Sequence, residues 1–257
     1  MLLQINNMTH YFGGLCAVSE FNLDLQKGEL IGIIGPNGAG KTTIFNLITG
    51  VYRATKGSIQ LKGEELVGKT PSQITSSGIA RTFQNIRLFK DLTVLDNVRI
   101  AHYSQMQYSP LDALLNTRRM IEEEKRVNDD SMDLLAVFKL QDYADEISKN
   151  LPYGLQRRLE IARALAIHPS ILLLDEPAAG MNPNEIVQLM EFISWIRKEF
   201  DLTIILIEHQ MRLVMGICER LKVLDFGATL AEGLPIDIQN NPKVLEAYLG
   251  VEEGEDQ

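Results

Sequence analysis

The sequence predicts an α/β fold in which a helical subdomain interrupts a core of strands and helices. The N-terminal stretches LLQINNM and FNLDL partly alternate apolar and polar residues, which is typical of strands. From about Leu92 to Leu140 apolar residues recur three and four positions apart among charged ones, which is typical of helices. Short apolar runs separated by helical patterns then return, as in buried parallel strands of βα units. These runs are ILLLDEP, TIILIEH and LKVLD.

The same patterns divide the chain into a core, an insertion and a C-terminal segment. We expect residues 1–84 and about 160–235 to form the α/β core, and residues about 85–159 to form the helical subdomain. The remainder, about 236–257, is expected to hold a short helix over NPKVLEAYLG. The acidic, apolar-poor VEEGEDQ that follows is expected to be frayed.

Composition and charge narrow the functional classes. The 257 residues are 45% apolar, enough for a folded core, and the net charge of −9 argues against nucleic acid as a partner. No apolar run reaches the roughly 18 to 20 residues of a membrane helix, and the N-terminus lacks the features of a secretory signal. We therefore expect a cytosolic chain unless a partner recruits it. Cys16 and Cys218 are expected to be packing or surface thiols.

The strongest single motif is a glycine-rich loop. Residues 35–42 read GPNGAGKT, which fits G-x-x-x-x-G-K-[ST] and lies between the apolar run LIGII and a plausible helix. In such a loop the backbone N–H groups face phosphates, Lys41 reaches the β and γ phosphates, and the Thr42 hydroxyl can ligate Mg²⁺. The alternative is an ordinary glycine-rich turn. A phosphate loop alone leaves kinases, GTPases, helicases and transporters open.

Two carboxylates follow a second apolar run. Asp175 and Glu176 come directly after Ile-Leu-Leu-Leu, and neighbouring side chains on a strand point to opposite faces unless the strand has just ended. We therefore expect different tasks for the two. Asp175 can hold Mg²⁺ through water, and Glu176 can orient and polarise the attacking water. The alternative for Glu176 is a solvated loop charge.

In the order of its motifs the sequence resembles the ATP-binding cassette family along nearly its whole length. Besides GPNGAGKT and ILLLDE, it carries four segments similar to those of the family. They are Phe83-Gln84 (glutamine loop), LPYGLQRR at 151–158 (signature), AGMN at 179–182 (D-loop) and IEH at 207–209 (switch histidine). The resemblance implies a P-loop NTPase (RecA-like) core with an N-terminal antiparallel β subdomain and an inserted α-helical subdomain. It also implies ATP and Mg²⁺ as cofactors and ATP hydrolysis coupled to transport.

The resemblance gives roles to further residues. Gln84 can reach Mg²⁺ or the water, and His209 can hydrogen-bond the γ-phosphate. Phe12 matches the aromatic that stacks on adenine, with Tyr11 as the substitute and packing in the β lobe as the alternative. The implied catalytic residues are Glu176, His209 and Gln84. The implied nucleotide-binding residues are Phe12, Gly35, Pro36, Asn37, Gly38, Ala39, Gly40, Lys41, Thr42, Thr43, Gln84, Asp175 and, toward the ATP of a partner subunit, Gly154. The implied Mg²⁺ residues are Thr42, Gln84 and Asp175.

The signature departs from the family's usual Leu-Ser-Gly-Gly-Gln. In place of the serine, whose hydroxyl donates to the γ-phosphate of ATP held by the opposite subunit, stands Pro152, which has neither hydroxyl nor backbone N–H. The backbone of Gly154 and a helix N-terminus remain. A homodimer would lack both serine contacts, so a heterodimer with a second cassette ATPase is favoured. A hydroxyl contact from Tyr153 is the alternative that permits a homodimer.

Within the family the sequence is most similar to the ATP-binding subunits of branched-chain amino-acid importers. The similar segments are HYFGGLCAV, ARTFQNIRLFKDLTVLDNV, LPYGLQRRLEIARAL, LLLDEPAAGMNP and EGLPIDIQNNPKVLEAYLG. This implies two transmembrane permease subunits, an external solute-binding protein as an indirect partner, and a peripheral location on the cytoplasmic face of the plasma membrane. Ile86, Leu88 and Phe89 are expected in an exposed loop that suits a permease interface, with packing inside the lobe as the alternative.

Two other kinds of ATPase from the same family are alternatives. The ATPase of a lipopolysaccharide-export system shares much of RRLEIARAL and the ending, but PYGLQ and PAAGMNP favour the importer. A soluble cassette ATPase of DNA repair or translation would typically carry a coiled-coil insertion, a second cassette or basic patches, which are not seen in this sequence. Outside the family, a small GTPase would need Asn-Lys-x-Asp, which is absent, and a nucleotide kinase would need an arginine-bearing lid, for which there is no clear candidate.

Overall fold

The computed structural model describes residues 1–103, 109, 112 and 114–249, which form two compact units. The first unit contains Met1–Gln84 and the described chain from Ser170 onward, and the second is Asn85–Pro169. The second unit ends at Pro169 rather than near 159, because a continuous helix over Tyr153–Leu165 crosses the expected boundary. Part of the predicted helical insertion, and the stretch VEEGEDQ predicted to be frayed, lie outside the described residues.

The first unit holds two sheets. The N-terminal strands are β1 (Leu3–Phe12), β2 (Leu15–Leu25), β4 (Lys56–Leu61) and β5 (Glu64–Glu65), paired antiparallel in the order β2-β1-β4-β5. The others are β3 (Leu30–Ile34), β6 (Ile79–Arg81), β7 (Ile171–Asp175), β8 (Thr203–Ile207), β9 (Arg220–Asp225) and β10 (Ala228–Gly233). Their order is β10-β9-β3-β8-β7-β6, parallel except for β10. The predicted α/β fold with an N-terminal antiparallel sheet is confirmed.

The helices, in chain order, are α1 (Lys41–Ile48), α2 (Pro71–Ser76), α3 (Val94–His102), α4 (Arg118–Val137), α5 (Tyr153–Leu165), α6 (Pro183–Glu199), α7 (Met211–Ile217), α8 (Pro235–Gln239) and α9 (Pro242–Leu249). Those from α3 to α5 belong to the second unit. Short 3₁₀ turns cover Gln141–Tyr143 and Ser148–Asn150. Within the described ranges, no helix combines the length and the apolar character needed to cross a membrane.

The core of the first unit is drawn from both sheets and from α1. All five residues of β3, β7 and β8 are buried, as expected for strands covered on both faces. Phe21, Ile33, Phe45 and Leu173 belong to one buried apolar cluster. Burial of apolar area supplies most of the folding free energy, so this cluster fixes the strands on which the site residues sit.

In the second unit α3 packs against α4 and α5, and a buried asparagine fixes the loop that precedes α3. The Asn97 amide donates to the carbonyl oxygens of Phe89 and Thr93, and its oxygen accepts from the N–H of Phe89. The Ser148 hydroxyl also donates to the Phe89 carbonyl. The Phe89 ring is exposed, whereas Ile86 is half-buried.

A buried ion pair links this loop to α5. Arg157 donates to Glu160 at 2.6 Å, with both side chains almost fully buried, and the other Glu160 oxygen accepts from the backbone N–H of Arg87 at 3.1 Å. A carboxylate in this setting is stabilised only by its partners. Glu160 therefore couples the loop at Arg87 to the helix that follows the signature.

Replacing Glu160 tests this coupling. Glu160→Gln keeps the shape but removes the charge that balances the buried guanidinium, so we expect a loss of about 3 to 5 kcal/mol in the free energy of unfolding. The matched control is Asp91→Asn, which removes an exposed ion pair with Lys149 and should change stability much less. Urea denaturation measures both, and equal midpoints for the two variants would contradict the assignment.

Candidate active site

The loop between β3 and α1 approaches the neighbouring backbone so closely that two of its positions require glycine. At Gly35, φ is 149° and an added Cβ would lie 2.2 Å from the carbonyl oxygen of Leu224. At Gly40, φ is 99° and a Cβ would lie 2.6 Å from the carbonyl oxygen of Ala17. Residues other than glycine rarely adopt these backbone conformations. The loop is thus held between β2 and the end of β9.

A cavity of about 320 Å³ lies over this loop, within the first unit. Its size is in the range of small-molecule sites. It is lined by Leu15, Cys16, Ala17, Asn37, Gly38, Ala39, Gly40, Lys41, Thr42, Thr43, Glu176, Phe226 and Gly227. The structure therefore brings the predicted loop residues from Asn37 to Thr43 and the predicted Glu176 around one space.

Lys41, the first residue of α1, is 6% exposed and turns back onto the loop. Its ammonium donates to the carbonyl oxygens of Gly35 at 2.7 Å and Pro36 at 2.9 Å. Burial lowers the pKa of Lys41, while the nearby charges of Glu176 and Asp175 act in the opposite direction. A phosphate that binds here has to replace two carbonyl partners.

Asp175 ends β7 and is held by an arginine. Its carboxylate accepts from Arg81 at 2.6 Å, and the two side chains are 7% and 6% exposed. Arg81 ends β6, the neighbouring parallel strand. No motif of the sequence points to this partner of Asp175.

Glu176 has φ 44°, and its N–H donates to the carbonyl oxygen of Ile207, the last residue of β8. This turn brings its carboxylate to 2.7 Å from the amide nitrogen of Gln84 and 3.8 Å from Nδ1 of His209. The three residues predicted to be catalytic therefore lie together at the ends of β7 and β8.

A fully buried acid orients the histidine. Glu208 accepts the backbone N–H groups of Ala178, His209 and Gln210. These bonds satisfy a charge that would otherwise be costly to bury. They fix the backbone from which the exposed His209 ring projects.

Six of the predicted nucleotide-binding residues do not line the cavity: Phe12, Gly35, Pro36, Gln84, Asp175 and Gly154. Phe12 and Gly154 lie apart from the groups described above. Phe12 is 44% exposed, and its ring meets the rings of His10 and Tyr52 edge to face, at 4.7 and 5.2 Å between centroids. Gly154 is exposed in the second unit, near the start of α5, with open space where a Cβ would be. Adenine stacking on Phe12 and a contact from Gly154 to a partner's ATP stay predictions.

Several residues of the cavity wall belong to none of the predicted nucleotide-binding motifs. Phe226 lines the cavity beside the loop; its side chain is 89% exposed and its φ is 43°. Cys16, expected to be a packing or surface thiol, also lines the cavity. Gly227 donates its N–H to the Ala39 carbonyl and could have been suspected, since a glycine that ends a strand pattern often marks close backbone approach. The remaining wall residues, Leu15 and Ala17, follow no chemical pattern.

The residues present fit a magnesium ion that arrives with a nucleotide. In the described part of the chain, no group of three or more His, Cys, Asp or Glu side chains is placed to hold a metal by itself. Mg²⁺ keeps several waters and commonly uses one or two carboxylates together with substrate phosphates. The exposed Thr42 hydroxyl and the Asp175 carboxylate match that donor set.

The glycine loop follows the central parallel strand β3, and the two carboxylates follow β7, which is separated from β3 by β8 in the same sheet. This arrangement is that of the P-loop class of nucleotide-hydrolysing proteins. Residues 18–179 match the model of the ABC transporter family, and residues 228–254 match that of the branched-chain amino acid ATP-binding cassette transporter. The chain therefore belongs to the ABC transporter family and is an ATPase of that family.

Relatives and solved structures agree with this assignment. The chain is 45% identical to the high-affinity branched-chain amino acid transport ATP-binding protein LivG of Escherichia coli K12, over 97% of this chain and 98% of LivG. It is 43% identical to BraF of Pseudomonas aeruginosa, which carries the same description, over 97% and 98%. The crystal structure of MJ1267 in its ADP conformation, an ATP-binding cassette of an ABC transporter, matches with a TM-score of 0.83 and 31% identity, covering 97% of this chain and 98% of that one.

The lowered pKa of Lys41 predicts a pH dependence of ATP binding. The ammonium form attracts phosphates, so affinity should be full below this pKa and fall as pH rises through it. The fall should be at most about tenfold per pH unit, as expected for one proton, and should stop above the higher pKa of the complex. Titration with the fluorescent analogue MANT-ATP at neutral to alkaline pH measures this. Lys41→Arg keeps its charge and should give a flatter curve; the same slope in both proteins would refute the role of Lys41.

Proposed function

We propose that this chain powers the uptake of branched-chain amino acids by hydrolysing ATP at the cytoplasmic face of the plasma membrane. The observation that carries the proposal is 45% identity over 97% of the chain to LivG, which is described as a branched-chain amino acid transport protein. The match of residues 228–254 to a branched-chain family model supports the same class of solute. The amino acid itself passes through two separate permease subunits, supplied by an external solute-binding protein.

ATP binding exchanges partners that the loop already provides. The triphosphate lies over the backbone N–H groups of residues 37–43, and Lys41 leaves the carbonyls of Gly35 and Pro36 for the β and γ phosphates. Phe12 stacks on adenine, supported edge-on by two neighbouring rings. Thr42, Asp175 and Gln84 would hold Mg²⁺, which supplies positive charge that neutralises the phosphates.

Hydrolysis depends on the group formed by Glu176, Gln84 and His209. Glu176 polarises the attacking water, and its carboxylate is held in place by the Gln84 amide at 2.7 Å. Gln84 must release this bond to reach the metal or the water. The amide therefore links the release of Glu176 to contact with the metal or the water. His209, whose ring is 3.8 Å from the same carboxylate, donates to the γ-phosphate.

Each ATP site of the transporter is completed by the signature of the opposite cassette. In this chain α5 begins at Tyr153, and Pro152 occupies the N-cap position without a side-chain cap bond. A hydroxyl donor is therefore missing where the family has serine, although Tyr153 is exposed beside it. We favour a heterodimer with a serine-bearing paralogue. The ATP site that the paralogue's serine completes contains this chain's own Lys41 and Glu176. The permease is proposed to bind separately, at the loop from Ile86 to Phe89.

Two variants separate binding from chemistry in the reconstituted transporter. Lys41→Ala removes bonds to charged phosphates and should weaken MANT-ATP binding by at least about tenfold. Glu176→Gln should bind ATP normally but hydrolyse it about 10²- to 10⁴-fold more slowly, and should abolish uptake of labelled leucine into vesicles. A Glu176→Gln complex that turns over ATP like the parent would remove Glu176 from the catalytic role. Active turnover without uptake of leucine, isoleucine or valine would refute the solute class.

Light scattering of the Glu176→Gln protein with Mg-ATP tests the heterodimer. We expect mostly monomer alone, a dimer with the paralogous subunit, and a gain of homodimer after Pro152→Ser. Two missing bonds to charged groups weaken closure by roughly a hundredfold or more, which makes the gain measurable. Tyr153→Phe is the matched control, since it removes the alternative hydroxyl. A tight homodimer of the otherwise unaltered protein would overturn the asymmetric arrangement.

A further inference from the structure

Among the described residues, Arg81 makes the only side-chain hydrogen bond to Asp175, and the position of its guanidinium is fixed from several sides. One guanidinium nitrogen donates to Asp175 at 2.6 Å and another to the Asn46 side-chain oxygen at 2.7 Å. The guanidinium lies 5.4 Å from the ring centroid of Phe45 and 4.8 Å from that of Phe83. Its Nε is buried with no hydrogen-bond acceptor within the described residues. The charge is therefore confined beside the carboxylate.

We propose that Arg81 is a positioning residue that sets the metal affinity of the site by competing with the divalent cation for Asp175. The inference rests on the proposed Mg²⁺ role of Asp175. Arginine keeps its charge at every working pH, and the two aromatic rings leave its head group little freedom to retreat. A cation that shares Asp175 must therefore bind beside a fixed positive charge.

The competition makes metal binding conditional on the nucleotide. With Arg81 satisfying Asp175, the carboxylate offers a bare cation little net attraction. A triphosphate over the loop adds negative charge and can hold the cation while Asp175 contributes only in part. Arg81 thereby favours binding of the metal together with the nucleotide over binding of the metal alone.

A purely structural role explains the Arg81–Asp175 ion pair less well. A buried ion pair is often replaceable by apolar side chains without loss of stability, so the pair is weakly explained by folding alone. The chain also contains a similar buried ion pair within the second unit: Arg157 and Glu160, which are likewise 2.6 Å apart.

The experiment measures the contribution of the metal to nucleotide affinity. MANT-ATP is titrated into the Glu176→Gln protein in EDTA and in Mg²⁺, and the ratio of the two dissociation constants is the metal contribution. Arg81→Met removes the charge and suits a site between two aromatic rings. A guanidinium and a divalent cation that share one carboxylate repel each other by an amount worth on the order of tenfold in affinity. We expect Arg81→Met to raise the metal contribution by about that factor.

Control variants separate charge from packing. Arg81→Lys keeps the charge and should leave the metal contribution within about twofold of the parent. Arg157→Met should lower the melting temperature but leave the metal contribution unchanged. If Arg81→Met does not fold, Arg81→Gln is the neutral variant to use. An unchanged or smaller metal contribution in the neutral variant overturns the inference. Binding that survives Lys41→Ala would instead refute the proposed nucleotide site itself.

Discussion

The parallel register of β3, β8 and β7 is the constraint on which the site depends. Ile33 of β3 and Asp175 of β7 both pair with Ile207 of β8, so the three strands end level. Because parallel strands deliver their carboxyl ends to one edge, the chain after each of them reaches the same place. More than a hundred residues of chain separate the phosphate loop from Glu176 and His209, and only this register brings them together. The bond from the Glu176 N–H to the Ile207 carbonyl fixes the last turn.

At that edge each of three charged groups has a partner from the protein itself. Lys41 bonds to two loop carbonyls, Asp175 to Arg81, and Glu176 to Gln84. Charges with limited access to water need such partners, since an unpaired one would be costly. A ligand gains affinity at this site only by offering these charged groups better partners than the protein does. In the proposed site a polyphosphate would pair with Lys41 and a divalent cation with Asp175, so the two groups together would favour a metal-bound nucleotide over either component.

Much of this site could be predicted because it is written in short motifs. The loop from Gly35 to Thr42 and the pair Asp175-Glu176 are contiguous, and the chemistry that needs them fixes their spacing. Arg81 could not be found in this way: its side chain meets Asp175 across 94 positions, through strand pairing that no local pattern encodes. Phe226 escaped for a similar reason, because only the turn after β9 brings it to the loop. The second unit extends to Pro169, beyond the expected boundary near 159, and local composition does not show that α5 continues to Leu165.

Hydrogen bonds between residues distant in sequence within the second unit bear on how transport and hydrolysis can be coupled. Glu160 accepts from both the Arg87 backbone and the Arg157 side chain, so the loop proposed to meet the permease and the helix that follows the signature share one buried acid. The chain enters this unit directly after Gln84, whose amide bonds Glu176. In the proposed complex, a permease bound to this loop would act on a segment three residues from Gln84 in sequence and one hydrogen bond from α5. The proposed coupling would then need no long pathway, because Arg87 is joined to α5 by a hydrogen bond and to Gln84 by a short stretch of backbone.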